Sequence, residues 1–468
     1  MKHFPASVLA AFLLLASQGV GVVHAAEESA GYDAALALHT AGKFTEAEKA
    51  AQALVEARTK TLGAEDKETL RARLLLAESM LDLGKGAEAE TRLRALLPLL
   101  TRTCGAEGRE TLHCQSAQIA ASTTETNRAE MEKQLRHLIS VEARVLGAED
   151  AETLLTRRRL VDSLDAQDKN EECEKECRPL LAAQARVLGP EAVETQRTQH
   201  KLAMSLLMLE RGEEAEKEFR QLLAVQQRTL GEGSRQTIDC QECVIMALFR
   251  QRNFAAAEKQ LRPLLPIIVR GLGAEDSLTL DMRDHLALSL AAQDKHAEAE
   301  QEYRTLLAAL EHKAGAEAPE TLDCQSSLIH TLCMQHKDAE AARLCRDLIP
   351  LQTRVLGPED SATLDTRSTL ASSLHALQQE DAAEKEYRAV LALREKTLGP
   401  EDPDTLETCY DMLPCLEAQN KIKEALTYAR RAYTGQLKAL GPDDINTQAS
   451  KEQLDRLTKL QAKEKTKA

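Results

Sequence analysis

Apolar residues recur along the chain in two stripes with three- and four-residue spacing, and the pair of stripes repeats every 42 residues. Offsets are counted here from a glycine that marks each period. The first stripe occupies offsets 13, 14 and 17, as in Leu202, Ala203 and Leu206, and the second occupies offsets 26, 30, 33, 34 and 41, ending in Leu230. Such spacing places apolar side chains on one face of an α-helix. Each period therefore predicts two amphipathic helices, which bury their apolar faces by stacking on neighbouring repeats.

Three polar or turn-forming columns define where these helices begin and end. A helix commonly ends at a left-handed glycine, and aspartate is a favoured residue at the N-cap of the next helix. The repeat glycines are Gly63, Gly105, Gly147, Gly189, Gly231, Gly273, Gly315, Gly357, Gly399 and Gly441. Three residues later comes an aspartate in six repeats: Asp66, Asp150, Asp276, Asp360, Asp402 and Asp444. A threonine stands six residues after every glycine. Ten matches in register predict an unbroken repeat array.

Composition limits the classes of protein to which the chain can belong. Its 468 residues exceed what one hydrophobic core of ~250–300 residues can organise, so a repeat array is expected. A net charge of −15 argues against a nucleic-acid binder, which would carry a basic stripe. No segment beyond the N-terminus approaches ~20 consecutive apolar residues, so no membrane span is expected in the mature chain.

The N-terminus has the pattern of a secretory signal peptide. Lys2 and His3 are followed by an apolar stretch from Val8 to Ala16, and Val23-His24-Ala25 then gives the small-x-small pattern that signal peptidase recognises. We expect residues 1–25 to be a signal peptide and the mature chain to begin at about Ala26, in a secreted or periplasmic protein. An uncleaved N-terminal anchor is the alternative. The remaining divisions are a shortened repeat at 26–63, nine full repeats at 64–441 and a capping helix with a charged tail at 442–468.

The segment from Thr363 to Gly399 resembles the 42-residue tetratricopeptide repeat of kinesin light chains. Small residues at offsets 14 and 26, and the aromatic residues Phe219, Tyr303 and Tyr387 at offset 30, match positions where helices of that family touch. The resemblance implies an all-α, right-handed superhelical solenoid of helix-turn-helix repeats. It also implies that the first helix of each repeat lines a concave groove, through offsets 8, 11, 15, 18 and 19, in which a peptide or protein segment binds.

Two sets of residues in these groove columns vary between repeats. The first is an acidic row at offset 8: Asp239, Asp281, Asp323, Asp365 and Glu407. The same column holds Arg71, His113, Leu155 and Arg197 earlier in the chain, which predicts a groove running from basic to acidic. The alternative is that the acids only complement helix N-termini. The second set is an apolar patch for a partner segment: Met204, Leu207, Met208, Met246 and Phe249. Its alternative is that these residues belong to the core.

Histidine and cysteine residues raise two further hypotheses. His330, Cys333 and Met334 share one predicted helix, and His375 follows one repeat later, a set that suits Cu(I) or Zn²⁺. A carrier or chaperone-like module that holds a ligand or metal is therefore the alternative function. Most such clusters are incidental, so no cofactor is expected. Of the eleven cysteines, Cys324 and Cys345 are the best candidates for a disulfide, because offsets 9 and 30 lie level on antiparallel helices.

Other charged residues follow the repeat frame and favour a scaffold over an enzyme. Arginine recurs at offset 31, and seven of these arginines follow a glutamate by four residues, the spacing of a surface ion pair on a helix. This interpretation is stronger than that of a phosphate-binding stripe. No nucleophile elbow, metalloprotease motif or nucleotide-binding loop occurs. Residues 122–127 form a poor helix sequence, and we expect a flexible point there.

Overall fold

The computed structural model describes residues 31–122 and 128–467. The predicted signal peptide, the predicted start at Ala26 and residues 123–127 of the predicted flexible point lie outside these ranges. Within them the secondary structure is α-helical, without strands. The chain divides into two compact units, Met1–Gln251 and Arg252–Ala468. None of the described helices is long and apolar enough to cross a membrane.

The first unit is a succession of antiparallel helix pairs. Its helices are α1 (31–40), α2 (Phe44–Thr61), α3 (Lys67–Asp82), α4 (Gly86–Cys104), α5 (Arg109–Ala121), α6 (Arg128–Val145), α7 (Ala151–Asp165), α8 (Asn170–Val187), α9 (Val193–Met208), α10 (Gly212–Leu230) and α11 (Arg235–Arg250). From α3 onward, odd-numbered helices begin repeats and even-numbered helices complete them. The predicted two-helix unit and the all-α fold class are confirmed.

The second unit continues the same pattern with one interruption. Its helices are α12 (Phe254–Leu272), α13 (Ser277–Ala291), α14 (His296–Ala314), α15 (Pro319–Met334), α16 (Asp338–Val355), α17 (Ser361–Ala376), α18 (Glu380–Thr397), α19 (Pro403–Asp411), α20 (Leu413–Ala418), α21 (Ile422–Leu440) and α22 (Ile445–Lys467). Pro414 lies where one continuous helix would otherwise run. Because proline lacks the N–H for the intrahelical bond, the helix divides into α19 and α20.

The glycine and threonine columns form one local device. Each repeat glycine has a positive φ, 99° at Gly273 for example, a conformation that side-chain-bearing residues rarely adopt. In seven repeats the threonine Oγ1 donates a hydrogen bond back to the carbonyl oxygen of that glycine, at 2.7–2.9 Å. The threonine therefore fastens the interrepeat turn to the first helix of the following repeat, which explains its recurrence.

The predicted aspartate caps are confirmed in all six repeats. Each carboxylate accepts a hydrogen bond from the backbone N–H two residues later, as Asp276 does from Leu278 at 3.0 Å. This contact satisfies a donor that the first turn of a helix leaves without an intrahelical partner.

A second left-handed position, which the sequence pattern did not reveal, lies between the two helices of seven described repeats, where a residue other than glycine occupies it. Asp168, Glu210, Arg252, Asp294, His336, Gln378 and Asn420 have φ values from 54° to 61°. These residues share no side-chain type, so only the backbone geometry shows that the turn repeats.

The core follows the predicted stripes except at one column. Leu202, Ala203 and Leu206 are buried, and every alanine at offset 26 is fully buried. Offset 41 was wrongly placed in the core, because Leu230 is 45% exposed and the leucines at this offset in five other repeats are exposed as well. The residue before the helix-ending glycine lies at the rim, where the following turn leaves one side of it in solvent.

The predicted surface ion pairs are confirmed and extend between repeats. All seven glutamate–arginine pairs form along single helices. Five of the arginines also reach a glutamate in the following repeat, as Arg304 reaches Glu340 at 2.9 Å. These arginines therefore form an interrepeat ladder, which the spacing along a single helix did not predict.

Candidate functional site

A cavity of about 450 Å³ in the second unit contains two of the predicted acidic residues. It lies between α13, α14 and α15 and is named the acidic cavity below. Asp281, Asp284, Glu320 and Asp323 supply its carboxylates, and Leu280, Leu288, Leu306 and Leu310 supply its apolar wall. Asp281 and Asp323 are one repeat apart at the same offset, so the repeat frame itself brings them to one opening.

Carboxylates outnumber basic side chains in the lining of the acidic cavity. Within the described residues, none of Asp281, Asp284 and Asp323 forms a salt bridge, and Lys313 is the one basic side chain of the lining. Burial, together with the neighbouring carboxylates Asp281 and Asp323, raises the pKa of Asp284 to about 6. A cation entering the cavity would relieve this repulsion. The arrangement can therefore hold a positively charged group beside an apolar one.

The other acidic-row residues are in different surroundings. Asp239, in the first unit, pairs with Arg235 at 2.8 Å on its own helix. Asp365 pairs with the buried guanidinium of Arg394. Glu407 is exposed. Burial of the neighbouring Asp411, together with the charge of Glu407, raises the pKa of Asp411 to about 6. The acidic row is therefore not one uniform surface. Only two of its members, Asp281 and Asp323, line the acidic cavity.

The predicted basic end of the groove is neutralised by acids of the same unit. Arg71 pairs with Glu68 at 3.2 Å, and Arg197 lies 3.4 Å from Glu194. The prediction that the groove runs from basic to acidic is therefore wrong, because Arg71 and Arg197 already have carboxylate partners.

His113 is the centre of a buried ionic network that the sequence analysis missed. Its Nδ1 lies 3.0 Å from a carboxylate oxygen of Glu152, and its Nε2 contacts Glu78. Although burial opposes the charge, these two carboxylates raise the pKa of His113 to about 10. Glu78 also pairs with the buried Arg159, which donates a second hydrogen bond to Ser116 at 2.7 Å. The network ties α3, α5 and α7 together.

One sequence signal could have revealed a related set of buried polar contacts. Offset 37 lies on the buried face of the second helix. The residue fourteen positions later lies beside it, on the first helix of the next repeat. Glu142 accepts a hydrogen bond from Thr156 at 3.0 Å, and Arg394 donates one to Thr408 at 2.8 Å. A polar residue at offset 37 followed by threonine fourteen residues later is thus a readable pattern.

The predicted apolar patch is partly core. Leu207 is fully buried, so its assignment to a binding surface was wrong: the register of α9 turns it toward the helix packing. Met208 is 48% exposed, whereas Met204, Met246 and Phe249 are half-buried. The exposed part of the patch is therefore smaller than expected.

The structure does not assemble the hypothetical metal site. The described residues contain no group of three histidine, cysteine or acidic side chains placed to hold a metal ion. Nδ1 of His375 lies 2.8 Å from Glu380, and Sγ of Cys333 lies 3.6 Å from the Ser373 hydroxyl. His330 remains exposed.

The predicted disulfide is also absent, because Cys324 and Cys345 are both buried free thiols. Sγ of Cys324 instead donates to the carbonyl oxygen of Tyr303 at 3.6 Å. Burial raises the pKa of both thiols to about 12. They occupy packing positions as small apolar groups, which is a common role of unpaired cysteine.

Comparison with protein families identifies the repeats. Two segments, residues 195–236 and 363–438, match models described as the tetratricopeptide repeat. The predicted repeat type is therefore confirmed, and the chain is an all-α solenoid that contains tetratricopeptide repeats. No curated protein sequence matched the chain.

Solved structures give likenesses at low sequence identity. A protein described as a kinesin light chain from Podosopora anserina, with nearly identical repeats, is 23% identical, covers 43% of this chain and 95% of its own, and has a TM-score of 0.40. BtubC from P. vanneervenii is 17% identical, with 49% and 90% coverage and a TM-score of 0.40. The apo form of RapI is 10% identical, covers 80% of this chain and 99% of its own, and has a TM-score of 0.54, which supports the solenoid fold.

Proposed function

We propose that the protein is an exported protein–protein interaction scaffold whose acidic cavity binds a partner segment that carries a lysine or arginine beside an apolar residue. One observation carries this proposal: three carboxylates without salt bridges, those of Asp281, Asp284 and Asp323, adjoin an apolar wall in one cavity. Repeat solenoids commonly present such sites on a rigid frame.

The apolar wall and the carboxylates have separate roles in this proposal. Leu280 and Leu288 would contribute affinity by removing apolar partner surface from water. The carboxylates would select a cation and would repel acidic segments, since like charges brought together oppose binding. Because Asp281 and Asp323 are exposed, the electrostatic part of the affinity should weaken as salt screens them.

The test is selection from a random peptide library displayed on phage, with the full mature chain as the bait. Enriched sequences should contain a basic residue next to an apolar one, and a synthetic peptide of that sequence should bind the wild-type chain. The double variant Asp281→Lys/Asp323→Lys should lose this binding. The matched control is Asp294→Lys/Asp347→Lys, which makes the same change in net charge at exposed positions outside the cavity.

Two outcomes would refute the assignment of the cavity. Retained binding by the cavity variant would show that the peptide binds elsewhere. Equal loss in the control variant would show that only the overall charge matters. Circular dichroism of each variant should remain that of the wild type.

Export is the second part of the proposal and rests on residues 1–25. It is tested separately, by N-terminal sequencing of the full-length product after cell fractionation. A chain beginning at about Ala26 outside the cytoplasm is the expected result. A cytoplasmic chain that retains residues 1–25 would overturn the export proposal without affecting the proposed peptide site.

A further inference from the structure

The turn between α1 and α2 lies against a helix that follows it by about 150 residues within the first unit. A Cβ placed on Gly42 would be 3.8 Å from Cγ2 of Val193, at the start of α9. The guanidinium carbon of Arg197 lies 5.2 Å from the centre of the Phe44 ring, within the range of a cation–π contact. The turn between α1 and α2 therefore contacts α9, the first helix of the fourth full repeat.

Arg197 also contacts a second residue from the N-terminal part of the unit. Its Nη1 lies 3.5 Å from Oδ1 of Asp82, and the other oxygen of this carboxylate lies 3.0 Å from Nε2 of His39 on α1. One arginine thus joins α9 to the end of α3, to Phe44 and, through Asp82, to α1. These contacts are few and partly exposed, and partly exposed ion pairs hold their elements weakly.

A cavity of about 670 Å³ lies behind this turn. Thr40, Ala41, Gly42 and Phe44 supply one wall, and residues of α7, α9, α10 and α11 with the turn at 191–192 supply the others. The volume falls within the range of small-ligand pockets. Gln226 lines the cavity and is about nine-tenths buried, and its Oε1 accepts no hydrogen bond from a described residue.

We propose that residues 40–44 are a movable strap over this cavity and that Arg197 is the latch that holds the strap closed. In the closed state, Phe44 and Asp82 both contact Arg197 and the turn rests on Val193. Release of Arg197 frees the α1–α2 turn and opens the cavity, while the buried network around His113 keeps the repeats beneath it packed. This device is independent of the acidic cavity, which belongs to the second unit.

The absence of tryptophan from the chain allows a specific optical test. Phe44→Trp places a single tryptophan on the strap, and its quenching by acrylamide is measured in the full chain with and without Arg197→Met. Phe254→Trp is the matched control, since Phe254 begins α12 as Phe44 begins α2. We expect Arg197→Met to increase quenching severalfold in the Phe44→Trp chain and to leave the Phe254→Trp chain unchanged.

Hydrogen–deuterium exchange of the chain without an introduced tryptophan gives a second measurement. Arg197→Met should accelerate exchange in residues 31–43 and leave α5 and α7 protected. Unchanged quenching and unchanged exchange at the strap would overturn the latch. Faster exchange throughout the first unit would also overturn it, because Arg197 would then be a general packing residue.

Discussion

Arg159 and Glu78, 81 residues apart in the chain, form a buried ion pair in which Nη2 of the arginine donates to Oε1 of the glutamate at 2.6 Å. Both side chains are about 7% exposed. The pair joins the first and third full repeats, and His113 adds a contact from the repeat between them. Three repeats of the first unit are therefore linked by contacts beyond those of nearest neighbours.

Removing one partner of this pair should destabilise the first unit strongly. Arg159→Met leaves Glu78 buried without one of its two cations, a type of change that typically costs about 3–5 kcal/mol. The measurement is hydrogen exchange of α3 and α7 in denaturant. Arg94→Met, which removes an exposed ion pair with Glu90, is the control and should cost only about 0.2–0.5 kcal/mol. Similar effects of the two substitutions would contradict the importance of burial.

The threonine column allows a comparison within one protein. Thr279→Val removes the hydrogen bond from Oγ1 to the carbonyl oxygen of Gly273 and should cost about 1 kcal/mol in the free energy of unfolding. Oγ1 of Thr405 is equally buried but has no hydrogen-bond partner among the described residues. Thr405→Val should therefore be neutral or slightly stabilising. Equal destabilisation by both, in chemical denaturation, would mean that the bond contributes nothing.

Asp284 should make the stability of the second unit depend on pH. Its pKa is about 6 in the folded chain, against an ordinary value of 3.8, so between these values the native state keeps a proton that the unfolded chain has released. The contribution of Asp284 to the stability of the native state therefore falls as pH rises through that window. In Asp284→Asn the fall should be smaller, and the remainder is expected from Asp411 of the same unit, whose pKa is also about 6. Parallel pH profiles of the wild type and the variant, measured by thermal unfolding, would show that Asp284 does not titrate as expected.

The same carboxyl should make peptide binding depend on pH in the opposite sense. A cationic peptide favours the ionised form of Asp284, so its affinity for the acidic cavity should increase as pH rises from about 5 to about 7. The measurement is calorimetric titration with the library-selected peptide. Asp284→Asn should flatten the dependence, and an affinity that is greater at pH 5 in the wild type would contradict the proposal.

Cysteine reactivity checks the absence of the predicted disulfide. Cys324 and Cys345 are buried free thiols, so alkylation of the native chain should modify them slowly, and both should react fully after denaturation without a reductant. Cys333, which is partly exposed, should react before either of them. A peptide that links Cys324 to Cys345 in non-reducing mass spectrometry would restore the original prediction.

The sequence by itself determined the features that depend on local geometry. Gly273 marks a turn because only glycine adopts its φ readily, and Asp276 caps a helix through a backbone N–H two residues away. The pair of Glu300 and Arg304 follows from the pitch of one helix. Each of these contacts lies within a few residues, so spacing was enough to predict it.

Tertiary structure decided which side chains remain open to a partner. Asp323 and Asp365 occupy the same offset, but Arg394 neutralises only Asp365, because offset 37 happens to hold arginine in that repeat. Leu207 and Met208 are adjacent in sequence, but helix packing buries one and exposes the other. Glu78 pairs with Arg159 two repeats later and Asp82 with Arg197 three repeats later, and this pairing depends on how the helices stack. The periodicity fixed the frame of the protein, and the stacking of that frame determined where its charge stays unpaired.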